Sequence, residues 1–379
     1  MIIGFPKEHN LEEQRVAISP SAISLYTDFG FKVIIESGAG AGSFFYDDKY
    51  IDSGAEILSS SDDIYRQSDI IVSIGKINED KIALIKEGAI LVSLIDIASS
   101  ENFIKKIIEG KITAISMSMI PRTTLAQKMD ALSSQSNIAG YRAVLIASCH
   151  LKKYMPLLMT AAGTIKPARV LILGAGVAGL SAVATAKRLG AQVEVFDVRP
   201  EVKEQVESLG AKFVDVNFDA GDISTDDGYA KETSKEYQEH QSNVIASHIS
   251  RSDIVITTAL IPGRPAPVLV SRTMVDKMEP GSVIMDLAAI NGGNCELTKK
   301  GEVVVANDIV IDGTTDMPGQ QSIDASELYS KNVSSLILHI LDKGSLKILM
   351  DDEIASSSVY IYNGEPRIEE LKHLGGNKN

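Results

Sequence analysis

The stretch from Ala168 to Ala191 reads ARVLILGAGVAGLSAVATAKRLGA. Four apolar residues, Val170–Leu173, run without a break into Gly174-Ala175-Gly176-Val177-Ala178-Gly179, and an Ala-rich segment follows. A short unbroken apolar run is the pattern of a strand buried on both faces, and the Ala-rich segment reads as a helix. Between them, the first glycine permits a tight turn. The second lets the backbone approach a pyrophosphate, and the third lets the helix pack closely on the strand. Unpaired N–H groups and the positive end of the helix dipole would complete a phosphate site. A second strand, Val193–Phe196, ends at Asp197, eighteen residues after Gly179. That is near the place of the acid that binds the adenosine ribose hydroxyls of a dinucleotide. A carboxylate there accepts hydrogen bonds from a 2′-OH and repels a 2′-phosphate, which favours NAD over NADP. Arg199, two residues on, tempers that choice, because a nearby arginine accommodates a 2′-phosphate.

The rest of the chain supplies a frame for this segment. Its 379 residues suggest two domains, and the 44% hydrophobic content is ample for packed cores. A net charge of −13 argues against nucleic acid and anionic membrane surfaces as partners. Two cysteines, Cys149 and Cys295, make neither a disulfide framework nor a metal knuckle and fit a reducing compartment. The start, Met1–Pro6, lacks the pattern of a signal peptide. No run approaches the ~18 apolar residues that span a bilayer. The expectation is a soluble cytoplasmic chain. The six histidines show no ligand spacing, so no metal site is expected.

Short apolar runs at Met1–Phe5, Lys32–Glu36, Ile70–Ile74, Ile90–Leu94 and Ile112–Met117 alternate with helical stretches such as Pro20–Asp28, Ile82–Lys86 and Glu101–Glu109. Further strands are expected at Ala211–Val214, Ile254–Thr257, Val283–Asp286, Val303–Val305 and Ile309–Ile311. The fold class is therefore α/β, with two Rossmann-like, doubly wound parallel-sheet domains. Two long helical segments, Ser133–Lys153 and Asp324–Leu341 (the latter with Asp324 as N-cap), read as crossings between them. The first domain is then discontinuous, 1–130 with 325–379, and the second covers 131–324. Met155–Lys166 reads as a projecting hairpin, and Asp215–Ser242 is a long polar interruption of the kind used for lids.

Between a strand and the first long helix lies a polar cluster, Met119-Ile120-Pro121-Arg122-Thr123-Thr124-Leu125-Ala126-Gln127-Lys128-Met129-Asp130-Ala131-Leu132-Ser133. By residue type alone, Asp130 or Ser133 is equally an N-cap, with Arg122 as an ion-pair partner. This loop occurs together with RVAISP at Arg15–Pro20, MTAAGT at Met159–Thr164, KEQVESLGAKF at Lys203–Phe213, GYAKE at Gly228–Glu232, TTALIPGRPAPVL at Thr257–Leu269 and GGNCELT at Gly292–Thr298. In that combination the chain closely resembles the NAD(H)-binding component of proton-translocating NAD(P)+ transhydrogenase, over essentially its whole length. It looks like the separate soluble alpha-type subunit.

The resemblance implies roles residue by residue. Arg122, Thr123, Gln127, Asp130 and Ser133 match the loop that holds the nicotinamide carboxamide and its ribose. Gly174, Gly176, Val177, Ala178 and Gly179 match the pyrophosphate turn, and Asp197, Val198 and Arg199 match the adenosine ribose region. Gly228 and Tyr229 match the tip of a mobile loop that closes over NAD(H). Gln241 and Thr258-Ala259-Leu260 match further cofactor contacts. Arg122, Gln127, Asp130, Ser133 and Tyr229 are the residues implied in catalysis. The implied activity is Si-specific, proton-translocating NAD(P)+ transhydrogenation, with NAD(H) on this chain and NADP(H) on a partner beta-type subunit, active only with partner subunits. A homodimer is implied, peripheral on the cytoplasmic face of the inner membrane through a membrane-spanning partner, with the nicotinamide in an inter-domain cleft. Alanine dehydrogenase is the related alternative. Its general acid/base positions hold Asp96 and Ile290 here, while Arg15 and Lys76 match its substrate-binding positions. A dehydrogenase must move a proton as well as a hydride, and an isoleucine cannot. A non-catalytic NAD-sensing subunit is the other alternative, disfavoured by the intact Arg122, Gln127 and Asp130.

Overall fold

The computed structural model describes residues 1–95, 101–216, 235–261, 264–342 and 344–374. The chain divides into two compact units, Met1–Gln135 with Pro318–Asn379, and Ser136–Met317. These divisions fall inside the helix Ala131–His150 and just ahead of the helix Ser322–Ile340, against the expected borders at 130/131 and 324/325. The second helix begins two residues before Asp324, so that carboxylate stands in the first turn rather than at the cap. There it still meets the positive end of the helix dipole.

In the first unit the strands are β1 (Ile2–Phe5), β2 (Lys32–Glu36), β3 (Glu56–Leu58), β4 (Ile70–Val72), β5 (Ile90–Ser93) and β6 (Thr113–Ser116). A hairpin of β7 (Leu158–Thr160) and β8 (Gly163–Ile165) stands apart as a two-stranded sheet. The second unit is built on β9 (Arg169–Leu173), β10 (Gln192–Phe196), β11 (Lys212–Phe213), β12 (Ile254–Thr257), β13 (Val283–Asp286), β14 (Val303–Ala306) and β15 (Ile309–Asp312). The chain then returns to the first unit for β16 (Val359–Tyr362) and β17 (Glu365–Pro366). The sheet orders are β17-β16-β6-β5-β4-β1-β2-β3 and β11-β10-β9-β12-β13-β15-β14.

Neither sheet is parallel throughout. β16 and β17 run antiparallel at one edge of the first sheet, and β14 runs antiparallel at an edge of the second. The cause is local. Two-residue loops, Asn307-Asp308 and Asn363-Gly364, have positive φ at both positions. That geometry makes a hairpin, and a parallel connection needs a dozen residues or more. Ile82–Lys86, expected to be α-helical, lies instead within and just after a 3-10 segment, Glu79–Leu84.

Central strands bury both faces, as the unbroken apolar runs require. In the first unit Ile70, Val72, Ile90 and Val92 enter one core while Ile71 and Leu91 enter the other. In the second, Val170, Ile172, Ile254 and Ile256 share one core with Ala143, Val144 and Ala147 of the long helix. Leu171, Leu173 and Val255 share the opposite core. The small side chains on the long helix let it approach the helix Val177–Arg188, where Ala182, Val183 and Ala186 are buried. The approach is closest at Gly140, where a Cβ would lie 2.0 Å from the Ala178 carbonyl oxygen. At the C-terminal end of β4, part-buried Glu8 accepts the Ile74 and Gly75 N–H groups at 2.6 and 3.1 Å.

Two stability effects follow. Gly140→Ala forces backbone against backbone and is expected to destabilise the protein by about 1–3 kcal/mol, read from its denaturant midpoint. An unchanged midpoint would mean a looser helix crossing. Burial pushes the Glu8 carboxyl up to about 7, with Glu13 adding to it and the two backbone N–H groups and Arg15 opposing. A carboxyl raised in the fold holds its proton more tightly than in the unfolded chain. Stability from this group is therefore full below its ordinary 4.5 and is lost as the pH rises to about 7. Glu8→Gln should flatten the pH dependence of stability in that window, and a slope identical to wild type would exclude Glu8 as its source.

Candidate functional site

Strands β10, β9 and β12 are parallel and in register, with Leu173 opposite both Phe196 and Thr257. The residues that follow, Asp197, Gly174 and Thr258, therefore leave the sheet side by side. Gly174 takes a left-handed turn (φ +106°), a conformation that favours glycine. The Thr258 hydroxyl donates to the Leu173 and Gly174 carbonyls, both at 3.2 Å, and pins that turn. At Gly179 a Cβ would meet the Gly174 carbonyl oxygen at 1.9 Å, so the third glycine is what lets helix and turn touch. Gly176 is different, because its Cβ position has nothing within 4 Å. It is the N-cap of the helix Val177–Arg188 and supplies no side-chain cap, and it and Val177 are exposed. Ala178 is half-buried. The open space at Gly176, beside uncapped first-turn N–H groups, fits a pyrophosphate.

Asp197 closes this edge. Its Oδ2 accepts the Ala175 N–H at 2.6 Å, which ties the acid to the glycine turn. Arg199 forks onto it, Nε to Oδ1 and Nη2 to Oδ2, each at 3.0 Å, and the Arg199 N–H reaches Oδ1 at 2.9 Å. Val198 packs against the apolar core with Phe196. The segment Thr258-Ala259-Leu260 is fixed by Asn294, whose Nδ2 donates to the Ala259 carbonyl and whose Oδ1 accepts the Ala259 N–H, at 2.9 and 3.0 Å. Leu260 remains exposed. Asn294 is held in turn by the buried Asp286 carboxylate, which accepts from the Asn294 and Cys295 N–H groups and from the Thr257 and Thr298 hydroxyls. Gln241 lies on the helix Lys235–Ile249, half-buried, and no hydrogen bond among the described residues joins it to the glycine turn. Gly228 and Tyr229 lie outside the described residues, as does Asp96.

The polar cluster belongs to the first unit. Residues Leu125–Met129 form a 3-10 turn that buries Ala126 and Met129 completely and thereby turns Gln127 and Lys128 outward. Asp130 caps the long helix: its Oδ1 accepts the Ser133 N–H at 2.8 Å, and its Oδ2 accepts the Ser133 hydroxyl at 2.5 Å. The N-cap reading of Asp130 is thus correct, and Asp130 and Ser133 form one unit. Arg122 is exposed and Thr123 half-buried. From the helix Ser322–Ile340, Asn332 donates to the Lys128 carbonyl at 2.9 Å and accepts the Ser134 hydroxyl at 2.7 Å, and so brackets Asp130 on both sides.

A cleft of about 530 Å³ in the same unit is lined by Glu8, Asn10, Glu13, Lys76 and Glu79, among others. The glycine turn belongs to the other unit. Both cations matched to dehydrogenase substrate positions carry carboxylates of this chain. Arg15 forks onto Glu13 at 2.7 and 2.6 Å and donates to Gln135 at 2.8 Å. Lys76 pairs with Glu79 at 2.6 Å. Ile290 is exposed. Among the described residues, no cluster of His, Cys, Asp and Glu could hold a metal, and no helix is long and apolar enough to cross a membrane.

Asn294, Asp286 and Asn332 have no counterpart among the residues expected from sequence. The one sequence signal was the GGNCELT segment, which contains Asn294. The three glycines separate fold from ligand. Gly176→Ala is expected to leave the unfolding midpoint within about 1 kcal/mol of wild type while abolishing dinucleotide binding. Gly179→Ala should lower the midpoint by itself. Equal behaviour of the two variants in both assays would mean that the space at Gly176 is not used.

The families described as "Alanine dehydrogenase/PNT, N-terminal domain" and "Alanine dehydrogenase/PNT, C-terminal domain" match residues 4–139 and 143–369. The chain is 44% identical over 372 residues to a Rhodospirillum rubrum protein named as the first part of NAD(P) transhydrogenase subunit alpha, covering 96% of this chain and 97% of that one. It is 42% identical to "NAD(P) transhydrogenase subunit alpha" of Haemophilus influenzae, covering 96% of this chain and 71% of that one. A crystal structure of transhydrogenase from Sinorhizobium meliloti superposes with a TM-score of 0.87 at 39% identity, covering 97% of this chain and all of that one. An L-alanine dehydrogenase structure superposes at 0.82 with 26% identity, covering 99% of each chain. With both domain families matched end to end around a glycine turn closed on Asp197, the chain belongs to the alanine dehydrogenase/PNT family and is most similar, among these, to transhydrogenase alpha subunits.

Proposed function

We propose that this chain is the NAD(H)-binding subunit of a proton-translocating NAD(P)+ transhydrogenase. It places NADH for direct hydride transfer to NADP+ on a beta-type partner subunit, with proton translocation coupled by a membrane-spanning partner. What carries the reading against a dehydrogenase is Ile290, which by the resemblance stands at a position where that family needs a proton-transferring side chain. Hydride transfer between two nicotinamides releases no proton at the reacting carbons, so the loss is harmless there.

What remains for the chain is placement. Asp197 accepts from the adenosine ribose hydroxyls, and the open backbone at Gly176 admits the pyrophosphate. Gln127, turned to solvent by the buried Ala126 and Met129, and the exposed Arg122 have the donors and acceptors to grip a carboxamide. Asp130 and Ser133 hold its ribose. The two reacting carbons must come within about 3–3.5 Å of one another in a site closed to water, and Gly228–Tyr229 would serve that closure. A homodimer through the β7–β8 hairpin is included in the proposal. Leu157, Met159 and Ile165 are exposed on or beside that isolated ladder, and a two-stranded ladder is marginal in water without cover.

The test is hydride transfer from NADH to an NADP+ analogue with and without the NADP(H)-binding partner, beside a control with NADH, pyruvate and ammonium. Activity only with the partner is expected, and partner-independent turnover of pyruvate would establish the dehydrogenase instead. Gln127→Ala should slow transfer by between about tenfold and a hundredfold with little change in NADH affinity. Equal loss of both would assign Gln127 to binding rather than placement.

A further inference from the structure

Resting on the NAD(H) reading above, we propose that the Arg199 guanidinium occupies the ribose-binding face of Asp197 until nucleotide displaces it. The Asp197 carboxylate is almost fully enclosed, with 6% of its side chain exposed. An ionised carboxylate offers about four lone-pair sites. Four donors fill them: the Ala175 N–H and Arg199 Nη2 on Oδ2, and the Arg199 N–H and Nε on Oδ1. A ribose diol that is to bind this acid must therefore replace donors already present.

The four are not equally replaceable. The Ala175 N–H is fixed by the glycine turn, whose Gly174 N–H bonds the Phe196 carbonyl at 2.8 Å across the sheet. The Arg199 N–H belongs to the backbone next to the acid. Only the guanidinium is carried on rotatable bonds, and it lies at the edge, with 25% of its side chain exposed. It also presents one donor to each carboxylate oxygen, the arrangement that a vicinal diol presents. Arg199 is thus a stand-in for the ribose hydroxyls. Its release costs an ion pair at each binding event, and once released it leaves a cation beside the position of a 2′-phosphate.

The experiment is titration of the full chain with NADH, wild type against Arg199→Ala and Arg199→Lys. Reduced nicotinamide mononucleotide, which lacks the adenosine ribose, and uncharged adenosine serve as further probes. Tightening of NADH and adenosine by roughly threefold to tenfold in Arg199→Ala, as for relief of one solvent-edge ion pair, is expected. Affinity for the mononucleotide should not move. Unchanged or weaker NADH binding in Arg199→Ala overturns the proposal. Arg199→Lys at wild-type affinity would then identify Arg199 as a charge that helps the bound state. Failure of the wild-type chain to bind NADH would sink the nucleotide reading itself, an outcome distinct from both.

Discussion

The candidate dinucleotide edge depends on three parallel strands ending at the same level. Because Phe196, Leu173 and Thr257 are in register, the acid, the first glycine and the hydroxyl that pins it emerge together from one sheet edge. A slip of one residue on any of the strands would exchange the faces of every side chain on it. Val170 and Ile172 would then trade cores with Leu171 and Leu173, which makes the register expensive to lose. The packing of both sheet faces into separate cores is thus also what positions the polar groups, and the Ala175–Asp197 bond reports that the two agree.

Support for that edge comes from behind it. Asp286 is a carboxylate with no exposure, satisfied by backbone N–H groups and two hydroxyls. Leaving such a group unpaired would cost several kcal/mol. Its partners are therefore held firmly, and Asn294 among them fixes both polar groups of Ala259. In the other unit, Asn332 does for the Leu125–Asp130 turn what Asn294 does for Ala259. Each is an amide side chain that bonds backbone on one side and so sets the path of a loop bearing candidate contacts.

Much of this was legible from residue order, because the signals are local. The strand, the glycine turn, the following helix and the acid at the end of the next strand all fall within thirty residues of sequence, from Val170 to Arg199. The capping role of Asp130 was legible for the same reason, as its partner lies three residues on. The β14–β15 and β16–β17 hairpins were written in Asn307-Asp308 and Asn363-Gly364 but were outweighed by the repeating strand–helix pattern, and the antiparallel joining of β16 to β6 has no local signal. Arg199 was read by its charge toward a ligand, whereas its side chain forks onto its own neighbour two residues away. Asn332 reaches Ser134 from 198 residues off, and Asn294 reaches Ala259 from 35. No periodicity or spacing rule carries contacts of that separation; only the closed sheet topology brings them together.

If the proposed reaction moves a hydride between two bound rings, an isoleucine at the position that the resemblance assigns to proton transfer, Ile290, shifts the burden onto distance. Rate then depends on how rigidly each ring is held rather than on a tuned pKa, and a displacement near 1 Å is worth about two orders of magnitude. The form of the Leu125–Asp130 turn is consistent with that demand. Ala126 and Met129 are anchored completely in the core, Asp130 is locked to Ser133 by two bonds, and Asn332 holds the carbonyl between them. The exposed Gln127 has little freedom left except in its own side chain. Under the proposed function, anchoring of the loop on three sides is the rigidity that placement of a nicotinamide ring would require.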